Sequence, residues 1–333
     1  MTNVLRTTQP RRARWSMTKR AVVAVTAAAG VALAVLPGAA QASPQAGPQP
    51  VRPSSAQVDA SSTGGTALQP SSATTSSAAT TTATSSWYNT VRYNRIYKYG
   101  GPIGISRCHE PSYPLNSYSN VAAWHKAFLS CLNTAWSGNV KKAGFSFYIP
   151  SVVFYQSSYK SYCGWVYASS KVPYYCSYGH GQILIPWTVY VNWYKQYPTT
   201  TGRQWLRAFT AQQMAHEYGH HIQHITGILD ASWNRQTYTF KTTADKLEEN
   251  RRRELQATCW GGAYLGADRA YYPMTGGLYT QWKYAIYHMG DNPSGGTRDH
   301  GSYKNNGFWA YRGFTYHTAG SCITWAVSDA MVS

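Results

Sequence analysis

The stretch that decides the fold reads MAHEYGHHIQHITG and runs from Met214 to Gly227. It ends a longer segment, residues 203–227, whose spacing predicts an α-helix that stops at the glycine. Residues four apart on a helix share one face, separated by ~40°. His216 and His220 are therefore expected to point at one position, with Glu217 beside them. The pattern H-E-x-x-H predicts a metal centre with two imidazole ligands and a neighbouring carboxylate.

Two further histidines lie in the same stretch. His221 and His224 are three residues apart and face a different side of the predicted helix. No glutamate is placed beside this pair as Glu217 is placed beside the first. We interpret them as supporting or packing groups, with a role as alternative ligands left open.

The third metal ligand has to come from outside the stretch. A catalytic zinc site uses three protein ligands and keeps the fourth position for water or substrate. An extended motif would need glycine and histidine where this chain has Gln223 and Thr226. That class of site is therefore excluded, and a downstream acid is required.

Glu254 is the preferred third ligand. It lies in a second predicted helix, residues 243–265, and small residues follow it on the same face, so this helix can approach the first closely. These residues are Ala257, Thr258 and Gly261, with Leu265 one turn further. Glu248 and Glu249 point away from Glu254 by about 120–140°. The alternative for Glu254 is an ion pair in the basic cluster RRRE, residues 251–254.

The ends of the chain predict three parts. Residues 1–42 combine a basic start, an apolar run and a final Ala-Gln-Ala, which is typical of a secretory signal peptide, with an uncleaved membrane anchor as the alternative. Residues 43–86 are rich in Ser, Thr and Ala and predict a disordered linker. Residues 87–333 predict one domain, with no other segment apolar enough to span a membrane.

The domain is predicted to be α+β. Besides the two helices already described, apolar spacing predicts a helix over 120–140. Aromatic and β-branched residues predict strands over 145–155 and 181–191, and residues 181–186 could pair with an extended peptide or lie in the core. From residue 268 onward the sequence predicts mainly loops.

Composition adds predictions about the partners and the cellular compartment. Six cysteines without a C-x-x-C pair in an exported chain predict three disulfides, whose pairing the sequence leaves open. The formal net charge is +18, which favours anionic partners such as cell-wall polymers. No nucleic-acid recognition motif is visible.

Several blocks together resemble the bacterial neutral zinc metallopeptidases of the gluzincin type, including exported actinobacterial forms. The blocks are HEYGHHIQ (216–223), RRRELQATCWGG (251–262) and HGSYKNNGFWAYRGF (300–314), with weaker similarity upstream, over roughly residues 100–325. The resemblance implies a zincin-like domain with an H-E-x-x-H helix, a second ligand-bearing helix and a small β-sheet. It implies Zn²⁺ held by His216, His220 and Glu254, and peptide-bond hydrolysis by a zinc-activated water with Glu217 as general base.

One departure and one further residue accompany this resemblance. The family usually has Asp four residues after the ligand glutamate, where this chain has Thr258. That Asp would accept a hydrogen bond from a ligand histidine, and losing such a partner typically costs about 10–100-fold in metal affinity or activity. His300, in the H-G-S block, is the expected oxyanion donor, with Tyr264, Tyr271 and Tyr303 as alternatives and a structural loop histidine as another. The competing function is a weak or inactive zincin-fold protein that binds cell-wall or other anionic polymers outside the cell.

Overall fold

A computed structural model of the chain describes residues 84–291 and 297–333, which belong to one compact unit. The predicted signal peptide and residues 43–83 of the predicted linker lie outside these residues. The described part begins in helix α1, which extends to residue 92. No helix within residues 84–291 and 297–333 combines the length and apolar character that crossing a bilayer requires.

Helices dominate the structure, and the two long helices predicted around the metal-binding motif are present. The helices after α1 are α2 (Arg95–Tyr99), α3 (Tyr118–Lys142), α4 (Trp187–Gln196), α5 (Thr200–Ile225), α6 (Ile228–Asn234), α7 (Thr243–Ala267), α8 (Gly276–Ile286) and α9 (Tyr303–Tyr316). Helix α5 carries the opening motif and is followed by Gly227 in the left-handed conformation, φ 76°. The sequence prediction of helices over 120–140, 203–227 and 243–265 is thus confirmed within a few residues at each end.

The strands form one small sheet and a separate hairpin. They are β1 (Ser151–Tyr155), β2 (Tyr159–Ser161), β3 (Gly164–Val166), β4 (Tyr174–Cys176) and β5 (Gln182–Pro186). The sheet has the order β1-β5-β4, with β5 parallel to β1 and antiparallel to β4, and β2 pairs with β3 as the hairpin. Strand β5 is central, so it is a core strand, and residues 181–186 offer no free edge to a peptide.

The packing of α7 against α5 and α9 depends on glycines. A β-carbon at Gly219 of α5 would lie 2.8 Å from the Cα atom of Ala257 in α7. One at Gly261 would lie 3.1 Å from the backbone nitrogen of His216. The small residues on the Glu254 face therefore permit the close approach of α5 and α7 that the sequence predicts.

Three sequence predictions about secondary structure are wrong. Of the first predicted strand, 145–155, only Ser151–Tyr155 forms β1, because Pro150 has no N–H to donate to strand pairing. The second predicted strand ends at Pro186, and residues 187–191 begin α4, because the proline ends strand pairing and Tyr190 and Val191 pack into the core in helical spacing. The segment after residue 268, predicted as loops, contains α8 and α9. Helix α9 contacts α7 through Gly313 and Ala310, and its buried face combines these small residues with Trp309, Phe314 and two asparagines.

Three disulfides are formed, as the cysteine count predicts. They join Cys108 to Cys131, Cys163 to Cys176 and Cys259 to Cys322. The first connects the segment before α3 to α3 itself, and the second fastens the β2–β3 hairpin to β4. The third connects α7 to the C-terminal segment and closes the longest loop, with a sequence separation of 63 residues.

Candidate metal centre

Three donor atoms converge where α5 meets α7. The Nε2 atoms of His216 and His220 are 3.1 Å apart. The Oε2 atom of Glu254 lies 3.3 Å from the first and 3.0 Å from the second. All three side chains are largely buried. The structure therefore brings together the three residues that the sequence predicts as metal ligands.

The spacing of these donor atoms fits a zinc ion. With Zn–N and Zn–O bonds of about 2.0–2.2 Å, neighbouring ligands of a tetrahedral ion lie about 3.3–3.5 Å apart. The observed separations of 3.0–3.3 Å differ from this by only a few tenths of an ångström. Two imidazole nitrogens and a carboxylate oxygen are also the donor types that zinc accepts.

His216 has a hydroxyl partner on its other ring nitrogen. Its Nδ1 atom lies 3.0 Å from Oγ1 of Thr258, which is buried in α7. The residue that replaces the expected aspartate therefore occupies the expected position. A hydroxyl orients the ring as a carboxylate would, but it contributes no negative charge to the imidazole.

His220 is oriented by a buried chain of amides that the sequence did not reveal. Its Nδ1–H donates to Oε1 of Gln223 at 2.9 Å. The Gln223 amide donates in turn to the carbonyl of Arg253 at 2.8 Å and to Oε1 of Gln256 at 3.1 Å. The Gln256 amide donates to Tyr97 and to a backbone carbonyl of the C-terminal segment.

This amide chain determines which nitrogen of His220 carries the proton. The oxygen of Gln223 must face the ring, because its NH₂ group is used by two acceptors. In its neutral form His220 then carries its proton on Nδ1, and the lone pair of Nε2 points at the convergence point. The signal available in the sequence was a glutamine three residues after His220, on the same side of the helix.

Glu254 carries its negative charge between the two histidines. Burial alone would raise the pKa of its carboxyl, but the nearby charge of His220 and hydrogen bonds from both rings hold that pKa well below its usual range. The rival acids face other partners. Glu248 pairs with Arg252, and Glu249 accepts from Arg235 and from the indole of Trp325.

The carboxylate of Glu217 lies beside the three donors without a hydrogen bond from another described residue. Its side chain is 7% exposed. Burial raises the pKa of this carboxyl, and the charge of Glu254 raises it further, while His216 and His220 act in the opposite direction. A buried, unbonded carboxylate with a raised pKa next to a metal site has the properties of a proton acceptor.

A comparison with protein families matches residues 51–271 of the chain to the family described as "Putative neutral zinc metallopeptidase". The chain belongs to this family. The matched range includes the H-E-x-x-H helix and Glu254, and the cofactor of such metallopeptidases is Zn²⁺. Searches among curated proteins and among solved structures find no match.

His300 lies beyond the range of the family match, on the loop before α9. Its Nε2 atom is 3.9 Å from Oε2 of Glu254, and its side chain is 45% exposed. Its Nδ1 atom lies 2.7 Å from a carboxylate oxygen of Asp299 and 3.6 Å from one of Asp291. Partial burial favours the neutral imidazole, but these two carboxylates and Glu254 outweigh it and raise the pKa of His300 well above its usual value.

The three tyrosines considered as alternatives to His300 have partners elsewhere. Tyr264 is buried and reaches Asp268, Tyr271 packs against His109, and Tyr303 packs against His288. The tyrosines whose pKa responds to the charge of Glu217 are others, from the sheet and from α4. They are Tyr155, Tyr174 and Tyr190.

His221 and His224 face away from the three donors, as their helical positions suggest. Their Nδ1 atoms lie 3.0 Å and 2.7 Å from the hydroxyl of Tyr175 on β4. The Nε2–H of His221 donates to the carbonyl of Tyr148 at 2.8 Å. Burial lowers the pKa of His221 to about 4, so it is a neutral imidazole that fastens the metal-binding helix to the sheet.

Proposed function

We propose that the protein is an exported zinc-dependent peptidase that hydrolyses peptide bonds in proteins or peptides. Zinc is held by His216, His220 and Glu254, and Glu217 is the general base. The observation that carries this proposal is the convergence of three donor atoms within 3.3 Å of one another beside an unbonded, buried carboxylate. A structural zinc site would use four protein ligands, and no fourth His, Cys, Asp or Glu joins this cluster within the described part of the chain.

The chemistry separates into contributions from the ion and from the chain. When bound, Zn²⁺ supplies a Lewis acid that polarises a carbonyl and acidifies water. Glu217 accepts a proton from the attacking water and delivers it to the leaving amine. Its raised pKa suits both steps, because a carboxyl with a pKa closer to neutrality can return the proton that it accepts.

His300 is proposed as the donor that stabilises the developing oxyanion. Its Nε2 lies 3.9 Å from Oε2 of Glu254, and its Nδ1 lies 2.7 Å from a carboxylate oxygen of Asp299. The ring therefore directs an N–H group toward the three donor atoms, and the neighbouring carboxylates favour its cationic form. A preorganised charged donor of this kind acts on the transition state more than on the substrate.

Export is part of the proposal. The pattern of residues 1–42 and the three disulfides support a protein that is cleaved after Ala42 and matures outside the cytoplasm. Sequencing the amino terminus of the secreted chain tests this directly. A mature chain that still carries residues 1–42 contradicts it.

A second candidate function is a weakly active or inactive protein that binds anionic polymers. The observation that favours it is the neutral hydroxyl of Thr258, where a carboxylate would be expected to strengthen His216 as a ligand. Both functions can be compared in one experiment, because they differ in whether Glu217 is required.

The experiment uses the oxidised, exported protein. We expect about one zinc per chain and hydrolysis of casein or a peptide library. Glu217→Gln should keep the zinc and lower the rate about 10²–10⁴-fold. Glu248→Gln, which removes a carboxylate from the same pair of helices away from the cluster, should leave the rate nearly unchanged. Zinc-free protein, or hydrolysis that survives Glu217→Gln, would refute the peptidase proposal.

A further inference from the structure

An exposed cluster of aromatic rings lies beside the sheet and takes no part in the proposed chemistry. We call it the aromatic platform. It comprises Tyr148, Tyr162, Trp165, Tyr178 and His180, all of them solvent-exposed. Large exposed aromatic surfaces are uncommon on proteins without a binding function at that place. The platform is therefore a candidate binding surface.

Four of the five platform rings stack on one another in two pairs. Tyr162 and Tyr178 stack with their ring centroids 4.2 Å apart and an interplanar angle of 10°. Tyr148 and His180 stack at 4.3 Å and 14°. Each pair joins two segments that are distant in the chain, so the outer faces of the rings stay open in fixed orientations.

The backbone under these rings is also constrained. The Cys163–Cys176 disulfide fastens the β2–β3 hairpin to β4, immediately next to Tyr162. The turn that carries Tyr178 and His180 contains Gly179 and Gly181, both in the left-handed region, and closes with a hydrogen bond of 3.0 Å. Binding to such a surface costs little ordering entropy, because the backbone and the rings are already fixed.

The chain segment that forms the platform carries charge of one sign. No Asp or Glu occurs between residues 111 and 216, which include the whole sheet and the hairpin. Lys160 lies directly opposite Trp165 in the hairpin, and both side chains are exposed on the same face. Lys171 is exposed on the loop that follows. The segment that forms the platform therefore combines aromatic faces with positive charge and contributes no acidic group of its own.

We propose that the aromatic platform binds an acidic polysaccharide, independently of the peptidase chemistry. The C–H groups on one face of a sugar ring carry partial positive charge and match the negative face of a Tyr or Trp ring. The tyrosine hydroxyls and His180 can bond to sugar hydroxyls. Lys160 and Lys171 are placed for the carboxylate or phosphate groups of the polymer.

Other ligand classes fit this surface less well. Single-stranded nucleic acid binds along grooves in which basic groups follow the phosphates, whereas the platform has two lysines. Insertion into a membrane favours Leu, Phe and Trp, whereas three of the five platform rings are tyrosines with polar hydroxyls.

The platform is close to the proposed metal centre. The backbone carbonyl of Tyr148 accepts a hydrogen bond of 2.8 Å from His221, which follows His220 on α5. A polysaccharide on the platform would therefore hold the proposed metal centre near material attached to that polymer.

Binding is measured by isothermal titration calorimetry with the oxidised Glu217→Gln protein, so that neither hydrolysis nor the peptidase proposal enters the result. We expect saturable binding of polygalacturonate and at least tenfold weaker binding of neutral dextran. Tyr162→Ala and Trp165→Ala should each weaken polygalacturonate binding about tenfold, since buried aromatic contacts dominate binding energy at such sites. Tyr162→Phe should retain most of the affinity, because it keeps the ring.

The matched control is Tyr284→Ala. Tyr284 is an exposed tyrosine that also stacks on a histidine, His288, at 4.0 Å, but it lies on α8, away from the platform. It should leave binding unchanged, and thermal melts should show that all variants are folded. Equal binding of Tyr162→Ala and the parent protein would overturn the proposal. So would tighter binding of a poly(dT) oligonucleotide or of phosphatidylglycerol vesicles, or self-association that Trp165→Ala abolishes.

Discussion

Replacing Thr258 by valine tests how the metal centre is supported. The side chains are nearly identical in shape, but valine has no oxygen. The Thr258 hydroxyl lies 3.0 Å from Nδ1 of His216 and is buried. In Thr258→Val the Nδ1–H group of His216 therefore loses its partner inside the protein, where water cannot easily replace it.

The size of the effect follows from the cost of an unsatisfied buried donor. That cost is about 1–3 kcal/mol. With a factor of ten per 1.4 kcal/mol, this corresponds to zinc binding that is weaker by about 5–150-fold. The range agrees with the effect of about 10–100-fold that is typical when a partner of a metal-binding histidine is removed. We therefore expect a loss of at least about fivefold in zinc affinity.

The assay is competition for zinc with a chelator of known affinity, at one pH and one salt concentration. Thr258→Ser keeps the hydroxyl and should stay close to the native affinity. Thr258→Asp adds a charged acceptor and should bind zinc about tenfold more tightly than the native protein. Thr210→Val controls for the loss of any buried hydroxyl, because Thr210 is a buried threonine of α5 whose hydroxyl donates to the carbonyl of Leu206 in its own helix.

The reasoning would be refuted by a Thr258→Val protein that binds zinc within threefold of the native protein. It would also be refuted if Thr210→Val lost as much affinity, because the effect would then come from general destabilisation. Melting temperatures of the zinc-free proteins distinguish such a loss of stability from a loss at the metal centre.

Three further predictions concern the support of His220, the buried His125 and the packing of α9 against α7. Gln223→Leu removes the acceptor of His220 Nδ1–H and should weaken zinc binding about 10–100-fold in the chelator assay; an unchanged affinity contradicts the role of the amide chain. His125 is fully buried, which lowers its pKa to about 4, so the unfolded chain takes up this proton first and stability should fall between pH 6.5 and pH 4. The lowered pKa of His125 accounts for about 3 kcal/mol of this loss in the free energy of unfolding. When urea unfolding is measured across this pH range, His125→Phe should reduce the pH dependence of the unfolding free energy by about one proton. Gly313→Ala places a β-carbon against a carbonyl of α7 and should destabilise by at least about 1–3 kcal/mol in urea unfolding. Gly138→Ala, where no atom lies within 4 Å, should instead stabilise α3 by about 1 kcal/mol; equal effects would refute the packing argument.

The parts of the site that the sequence predicts depend on local periodicity. His216, Glu217 and His220 lie within five residues of one helix, so their relative positions follow from the helical repeat alone. Glu254 is 34 residues beyond His220, and the small residues around it indicate the side on which α7 meets α5. The structure brings Glu254 to the two histidines because Gly219 and Gly261 permit that contact.

The parts that the sequence does not predict depend on contacts between distant segments. Gln223 and Gln256 are ordinary polar residues until α5 and α7 are packed, and only then does one amide orient the other and the His220 ring. Helix α9 was missed although Trp309 and Phe314 are buried on it, because asparagine, glycine and alanine separate these large side chains on its packing face.

The sequence by itself determined the metal-binding pattern, the donor types and the two helices that carry them, because these follow from spacing along one chain. The tertiary structure alone decided the pairing of the cysteines, the central position of β5, the partners of both histidine rings and the assembly of the aromatic platform. Each of these requires side chains far apart in the chain to meet at distances near 3–4 Å, and such meetings are set by how whole elements pack. Thr258 illustrates both. The sequence shows that a threonine stands at this position, but its contact with His216 forms only because α7 crosses α5.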